Sequence, residues 1–158
     1  MSRAFAILKT AVFTIFVPGT VAGYVPYRLL RQPIKPFFDV LGIIGIISTV
    51  LGAAGYLTCA WNFAYYGLGT PAPIDPPKTL IVQGLNRYVR NPMYLSVLLV
   101  ILGEAALFHA RHLLIYAACV WFIAHLFVLL YEEPALSRKF GESYEHYRQS
   151  VPRWIPHF

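Results

Sequence analysis

Two arginines, Arg87 and Arg90, stand three residues apart just ahead of Asn91-Pro92, a pair suited to the N-cap and first position of a helix. On a helical turn their side chains share a face. The free N–H groups and dipole of the helix that follows attract anions. Together these features could hold a carboxylate or a phosphate at a membrane surface. Juxtamembrane arginines also contact lipid headgroups, and the spacing leaves both readings open. Glu132-Glu133 is the complementary feature: it directly follows an apolar run and precedes Pro134. Negative charge is disfavoured near a helix C-terminus, so an acid pair there points to a cation held close by. That cation could be a partner arginine or a positively charged ligand; a solvated helix end is the plainer alternative. Beside an anion pocket, the pair would suit a zwitterion. His125 lies seven residues before Glu132, two turns up the same face. An ionisable group inside an apolar run usually faces the interior of a bundle. There it could accept a proton from a substrate nucleophile or simply bond a neighbouring helix. Glu104, with His109, Arg111 and His112 near it, reads as structural, and its spacing is too loose for a metal site.

The elements that must position these residues are apolar. Of 158 residues, 58% are hydrophobic and only 13% charged, and the mean hydropathy is +0.57. That charge is about half the usual share for a soluble domain, which excludes disorder and argues against a soluble globule. A single all-α integral membrane domain over residues 1–158 is expected, with about four transmembrane helices. The spans are placed at about 10–27, 40–63, 93–110 and 113–131, each near the ~20 residues that a bilayer needs. Pro18-Gly19 predicts a kink in the first. Gly42, Gly45, Thr49, Gly52 and Tyr56 form a stripe on the second whose small members let another helix approach closely, from this chain or a second copy. Trp61, Phe63, Tyr65 and Tyr66 suit an interfacial belt.

With four spans, the N-terminus, the loop 67–92 and the tail 132–158 share one side and carry nine of the thirteen Lys/Arg. Arg28, Arg31, Lys35 and Arg111 are on the other, so the positive-inside rule places both termini in the cytoplasm. The loop is stiffened by Pro71, Pro73, Pro76 and Pro77. In the tail, Leu136, Phe140, Tyr144, Tyr147 and Val151 keep helical spacing among charges. This predicts an amphipathic C-terminal helix that lies on the membrane or caps the bundle. The net charge of +6 fits cytoplasmic loops and anionic lipid; nothing resembles a nucleic-acid-binding signature. Cys59 and Cys119 lack CxxC spacing and read as packing residues.

No Gly-rich phosphate loop, GxSxG elbow or HExxH motif occurs, so those hydrolytic and nucleotide-binding classes have no support. The motifs that do occur have a recognisable order. Gly84-Leu85-Asn86-Arg87-Tyr88-Val89-Arg90-Asn91-Pro92-Met93-Tyr94 comes first, then an apolar span ending in Tyr131-Glu132-Glu133-Pro134-Ala135-Leu136. Phe140-Gly141-Glu142-Ser143-Tyr144-Glu145-His146-Tyr147 and Val151-Pro152-Arg153-Trp154-Ile155-Pro156 follow. Over about its last half, the chain resembles the isoprenylcysteine carboxyl methyltransferase family in its small bacterial branch, and is similar to the phospholipid methyltransferases.

The resemblance implies a membrane enzyme that binds S-adenosylmethionine at the cytoplasmic face and methylates a lipophilic, lipid or prenylated acceptor. It places Gln83, Gly84, Arg90, Asn91, Pro92 and Tyr94 among the cofactor-binding residues. Glu132 and Glu133 become the acidic pair of the pocket, and Tyr144, Tyr147 and Arg153 its C-terminal wall. Arg90, Glu132 and His125 are the candidate catalytic residues, and no metal is implied. Many family members have histidine where this chain has Asn91; asparagine keeps hydrogen bonding but takes no proton near neutral pH. An NADPH-dependent reductase of sterol-reductase type, or a non-catalytic membrane scaffold, are the alternatives.

Overall fold

Apolar side chains decide the architecture, because backbone polar groups in hydrocarbon must be satisfied within the segment that carries them. A computed structural model describes residues 3–30, 35–67 and 78–156, and among them there are helices and no strand. Five helical runs follow one another: α1 (Ala4–Leu29), α2 (Val40–Tyr65), α3 (Pro92–Leu107), α4 (Arg111–Phe140) and α5 (Glu142–Ser150). Three of them, α1, α2 and α4, are long and apolar enough to cross a membrane. The remaining expected span is the shorter α3, whose 16 residues rise about 24 Å. Large apolar side chains such as Val40 (75% exposed) and Leu130 (72%) face outward, as a lipid environment allows.

The expected kink at Pro18-Gly19 does not end α1. Proline removes one N–H from the ladder, and the helix continues through a wide π-helical turn at Thr20–Tyr24. That turn is braced from outside, since the Tyr116 hydroxyl donates to the Val21 carbonyl at 2.7 Å. The glycine stripe of α2 packs within the chain, against α3. A Cβ on Gly45 would lie 2.6 Å from the Gly103 carbonyl oxygen, and one on Gly52 2.7 Å from that of Ser96. Only glycine permits so close a backbone approach, which the Ser48 hydroxyl then secures with a 2.9 Å bond to the Leu99 carbonyl. On the other flank, Thr14 of α1 meets the Tyr56 hydroxyl at 3.0 Å. Exposed Trp61 and Tyr66 lie at the C-terminal end of α2, where Trp61 stacks on Tyr65.

Both ends of α4 differ from the expected 113–131. It starts at Arg111 and runs past the acid pair to Phe140, with a π-helical turn at Val128–Glu132. The expected single amphipathic tail helix is also broken. Gly141 has φ +52°, a conformation open to glycine, and separates α4 from α5. The apolar stripe therefore folds onto the protein: Tyr144, Tyr147 and Val151 pack with Leu80, Leu136 and Phe140. At the opposite end, Ala105, Ala110 and Leu113 pack with Leu30, Phe108 and Tyr116. There His109 bonds Asp39 at 3.2 Å and stacks on Phe37, so Asp39, and not Glu104, is its acidic partner. Asp39 also caps α2, accepting from the Gly42 N–H at 2.9 Å. Arg31 and the prolines at 71–77 lie outside the described residues.

Candidate functional site

Three separate stretches of chain meet at the end of the bundle near α5. The first is the turn before α3. Gly84, at φ +60°, brings the backbone over Asn62, whose side-chain nitrogen would lie 2.6 Å from an added Cβ. A single 3-10 turn, Gly84–Arg87, then leads to Arg90. Pro92 opens α3 as its type predicts, but Asn91 makes no side-chain capping bond. Its amide donates instead to the Arg153 carbonyl at 3.1 Å. The adjacent Arg90 N–H donates to the Pro152 carbonyl at 2.9 Å. The turn and the C-terminal segment are thus stitched together by consecutive residues.

The second stretch is the acid pair, delivered by the π-helical turn that ends at Glu132; wide turns of this kind often occur at functional sites. The Tyr94 hydroxyl donates to Glu132 Oε2 at 2.9 Å. Glu133 is buried, and Arg153 from the third stretch grips it in a two-pronged pair, Nε to Oε1 at 2.6 Å and Nη2 to Oε2 at 2.9 Å. Arg90 Nη1 lies 3.0 Å from the same Oε1. That contact is ionic and off the hydrogen-bonding line: among the described residues neither Nη1 nor Nε of Arg90 has a hydrogen-bond acceptor, although both are buried.

Tyrosines close the wall. Tyr147 donates to the Asn86 carbonyl at 2.6 Å, and the Asn86 amide donates to the Arg90 carbonyl at 3.3 Å. Burial pushes the Tyr147 phenol up to about 12. Burial, followed by the Glu133 carboxylate, also raises Tyr144, while the Arg90 guanidinium pulls it back by its charge and then by a hydrogen bond. The hydrogen bond to Glu133 raises the Arg153 guanidinium further. All three groups therefore keep their ordinary protonation at neutral pH.

Of the residues singled out from sequence, Arg90, Asn91, Tyr94, Glu132, Glu133, Tyr144, Tyr147 and Arg153 come together here. Gln83 and Gly84 lie exposed at the edge, and Pro92 is buried beneath. Arg87 does not join Arg90: Arg87 is exposed while the Arg90 side chain is only 9% exposed. The shared face expected of a continuous helical turn is lost where the 3-10 turn ends. His125 connects indirectly, accepting at Nδ1 from the Trp154 indole N–H at 2.9 Å. Sequence reading missed Asn86 and Asn62, both buried, and gave Trp154 no role. Asn86 lies within the Gly84–Tyr94 motif and Trp154 directly follows Arg153 in the Val151–Pro156 motif, and those placements were the available signal.

The arrangement can hold both ends of a zwitterion: unfilled guanidinium donors for an anion, and Glu132 for a cation. A family model described as phospholipid methyltransferase matches residues 40–143, from α2 into the start of α5. No curated protein and no solved structure matches the chain.

Proposed function

Since the chain belongs to the phospholipid methyltransferase family, we propose that it transfers a methyl group from S-adenosylmethionine to a lipophilic acceptor reaching the site from the bilayer. Methyl transfer to membrane lipid-type substrates is what the family carries; the cofactor, its site and its face are our reading. The observation that carries this reading is Arg90. A buried guanidinium with two nitrogens lacking a hydrogen-bond acceptor is costly, and a carboxylate oxygen is an acceptor that could satisfy either of them. Glu132 fits an ammonium, and the rings of Tyr94 and Trp154, in edge-to-face contact with centroids 6.3 Å apart, supply aromatic surface beside it for a sulfonium. The residues present thus suit an amino acid sulfonium in each of its charged parts.

When bound, S-adenosylmethionine supplies an electrophilic methyl group with a neutral thioether as leaving group. The protein's part is alignment and exclusion of water. Glu133 holds Arg90 and Arg153 in register, so the anion site is fixed before the ligand arrives. Tyr94 orients Glu132 in the same way. A carboxylate acceptor needs no base. For an acceptor with a proton to lose, Glu132 is the carboxylate at hand. Nine of the thirteen basic residues lie on the side that includes the site and both termini, if α3 crosses with the other three. We place that face in the cytoplasm.

Calorimetric titration of the detergent-purified chain with S-adenosylhomocysteine, and separately with NADPH, tests the assignment. The expected result is saturable S-adenosylhomocysteine binding that is lost in Arg90→Ala and in Glu132→Ala. Binding of NADPH alone, or S-adenosylhomocysteine binding indifferent to both substitutions, would overturn it.

A further inference from the structure

The C-terminal segment is pinned at one more point, and the chemistry of that point restricts what His125 can do. An indole N–H donates and cannot accept. The 2.9 Å contact from Trp154 Nε1 to His125 Nδ1 therefore requires a lone pair on Nδ1. In neutral imidazole the proton then sits on Nε2. The ring is held in that position by Trp121, stacked on it at 5.3 Å and 19°. Neither nitrogen is free to accept a proton: Nδ1 is occupied by the indole, and Nε2 is already protonated.

The pin connects with both acids. Trp154 directly follows Arg153, whose guanidinium grips Glu133, and the Trp154 ring meets Tyr94, whose hydroxyl holds Glu132. We propose that Trp154 and His125 are positioning residues that fix the C-terminal segment over the acid pair, and that His125 acts as acceptor to Trp154 and does not deprotonate the methyl acceptor. This extends the methyltransferase reading above as far as ligand binding is concerned; the tautomer assignment stands independently of it.

Two measurements on the full chain in detergent test the proposal. In the 15N spectrum of histidine-labelled protein at pH 7.5, the His125 signals are identified by their absence from His125→Asn. We expect an unprotonated Nδ1 and a protonated Nε2, shifting to a mixture of tautomers in Trp154→Phe. A protonated Nδ1 in the native chain, or a pattern unchanged in Trp154→Phe, would overturn the pin. The second readout is S-adenosylhomocysteine affinity. His125→Leu leaves the indole donor without an acceptor and should weaken binding about tenfold. His125→Asn offers an amide oxygen where Nδ1 was, and should restore affinity to within about threefold. Equal losses in the two variants would mean that the imidazole itself is needed, which contradicts the proposal. If the native chain binds no S-adenosylhomocysteine, the functional reading fails and the nitrogen pattern alone decides the pin.

Discussion

Glu133 carries more of the site than any other side chain, and Glu133→Gln isolates its charge while keeping its shape. In the native chain one carboxylate serves two guanidiniums, with distances of 2.6 and 2.9 Å to Arg153 and 3.0 Å to Arg90. The amide retains at most one good acceptor and leaves two like charges facing each other. Arg153 has a side chain 30% exposed and can turn to solvent; Arg90, at 9%, cannot. The cost should therefore come mainly from Arg90. Loss of a charged hydrogen-bonded partner and an uncompensated buried charge together amount to about 2–3 kcal/mol after allowance for Arg153 relaxing. At roughly 2–4 °C per kcal/mol for a chain of this length, Tm should fall by about 5–10 °C. Tryptophan fluorescence during a thermal ramp in detergent reads the shift, with Glu132→Gln as the control that removes the neighbouring charge while its amide oxygen can still accept from Tyr94. Arg153→Ala and the double variant complete a cycle in which the coupling to Glu133 should exceed about 1.5 kcal/mol. A Glu133→Gln melt within about 2 °C of native, or a smaller drop than in Glu132→Gln, would show that the pair does not hold the site together.

Two further outcomes follow from other parts of the molecule. Gly103→Ala puts a Cβ 2.6 Å from the Gly45 carbonyl oxygen, so the α2–α3 contact must open at a cost of about 1–3 kcal/mol; a Tm equal to native would refute the close approach. For Tyr147, the phenol pushed up to about 12 means that the folded chain holds this proton more tightly than the unfolded one. Its stabilisation is therefore complete below pH 10 and fades as pH rises toward 12. Tyr147→Phe should cost about 1 kcal/mol at neutral pH through the lost bond to Asn86, and its Tm should decline less than native between pH 10 and 12. Parallel Tm curves over that range would refute the assignment.

What could be read from the sequence was whatever a short period encodes. The helix-length apolar runs became α1, α2 and α4. The four- and three-residue steps of Gly45, Thr49 and Gly52 identified a close helix contact, which the structure resolves as α3. The acid pair was recognisable because its position at the end of an apolar run is electrostatically awkward. Legibility ended where the chain changes period. Arg87 and Arg90 share a face only if one helix runs through both, and the 3-10 turn stops at Arg87. The tail stripe from Leu136 to Val151 kept helical spacing across Gly141, yet the positive φ there folds it into two helices. Asn91 had the type of a capping residue, but its side-chain oxygen makes no cap bond and its amide N–H donates to the Arg153 carbonyl. Contacts such as Arg153 to Glu133 or Tyr147 to Asn86 arise from that reversal, and no local pattern specifies them.

The wide turn at Val128–Glu132 has a consequence for how the last span can vary. In an α-helix each residue advances the side chain by about 100°, and a π-helical turn in effect absorbs one residue without that advance. The seven-residue interval from His125 to Glu132 would place both on one line of a regular helix; here the acids are offset by about 100° from that line. The turn thus works as a phase adjuster between a lipid-facing shaft and its polar end. Removing a single residue from 128–132 could leave a regular, fully bonded helix while rotating Glu132 and Glu133 away from Tyr94 and Arg153. The length of the shaft can change elsewhere, but the count of residues in this turn sets the direction in which the acids face.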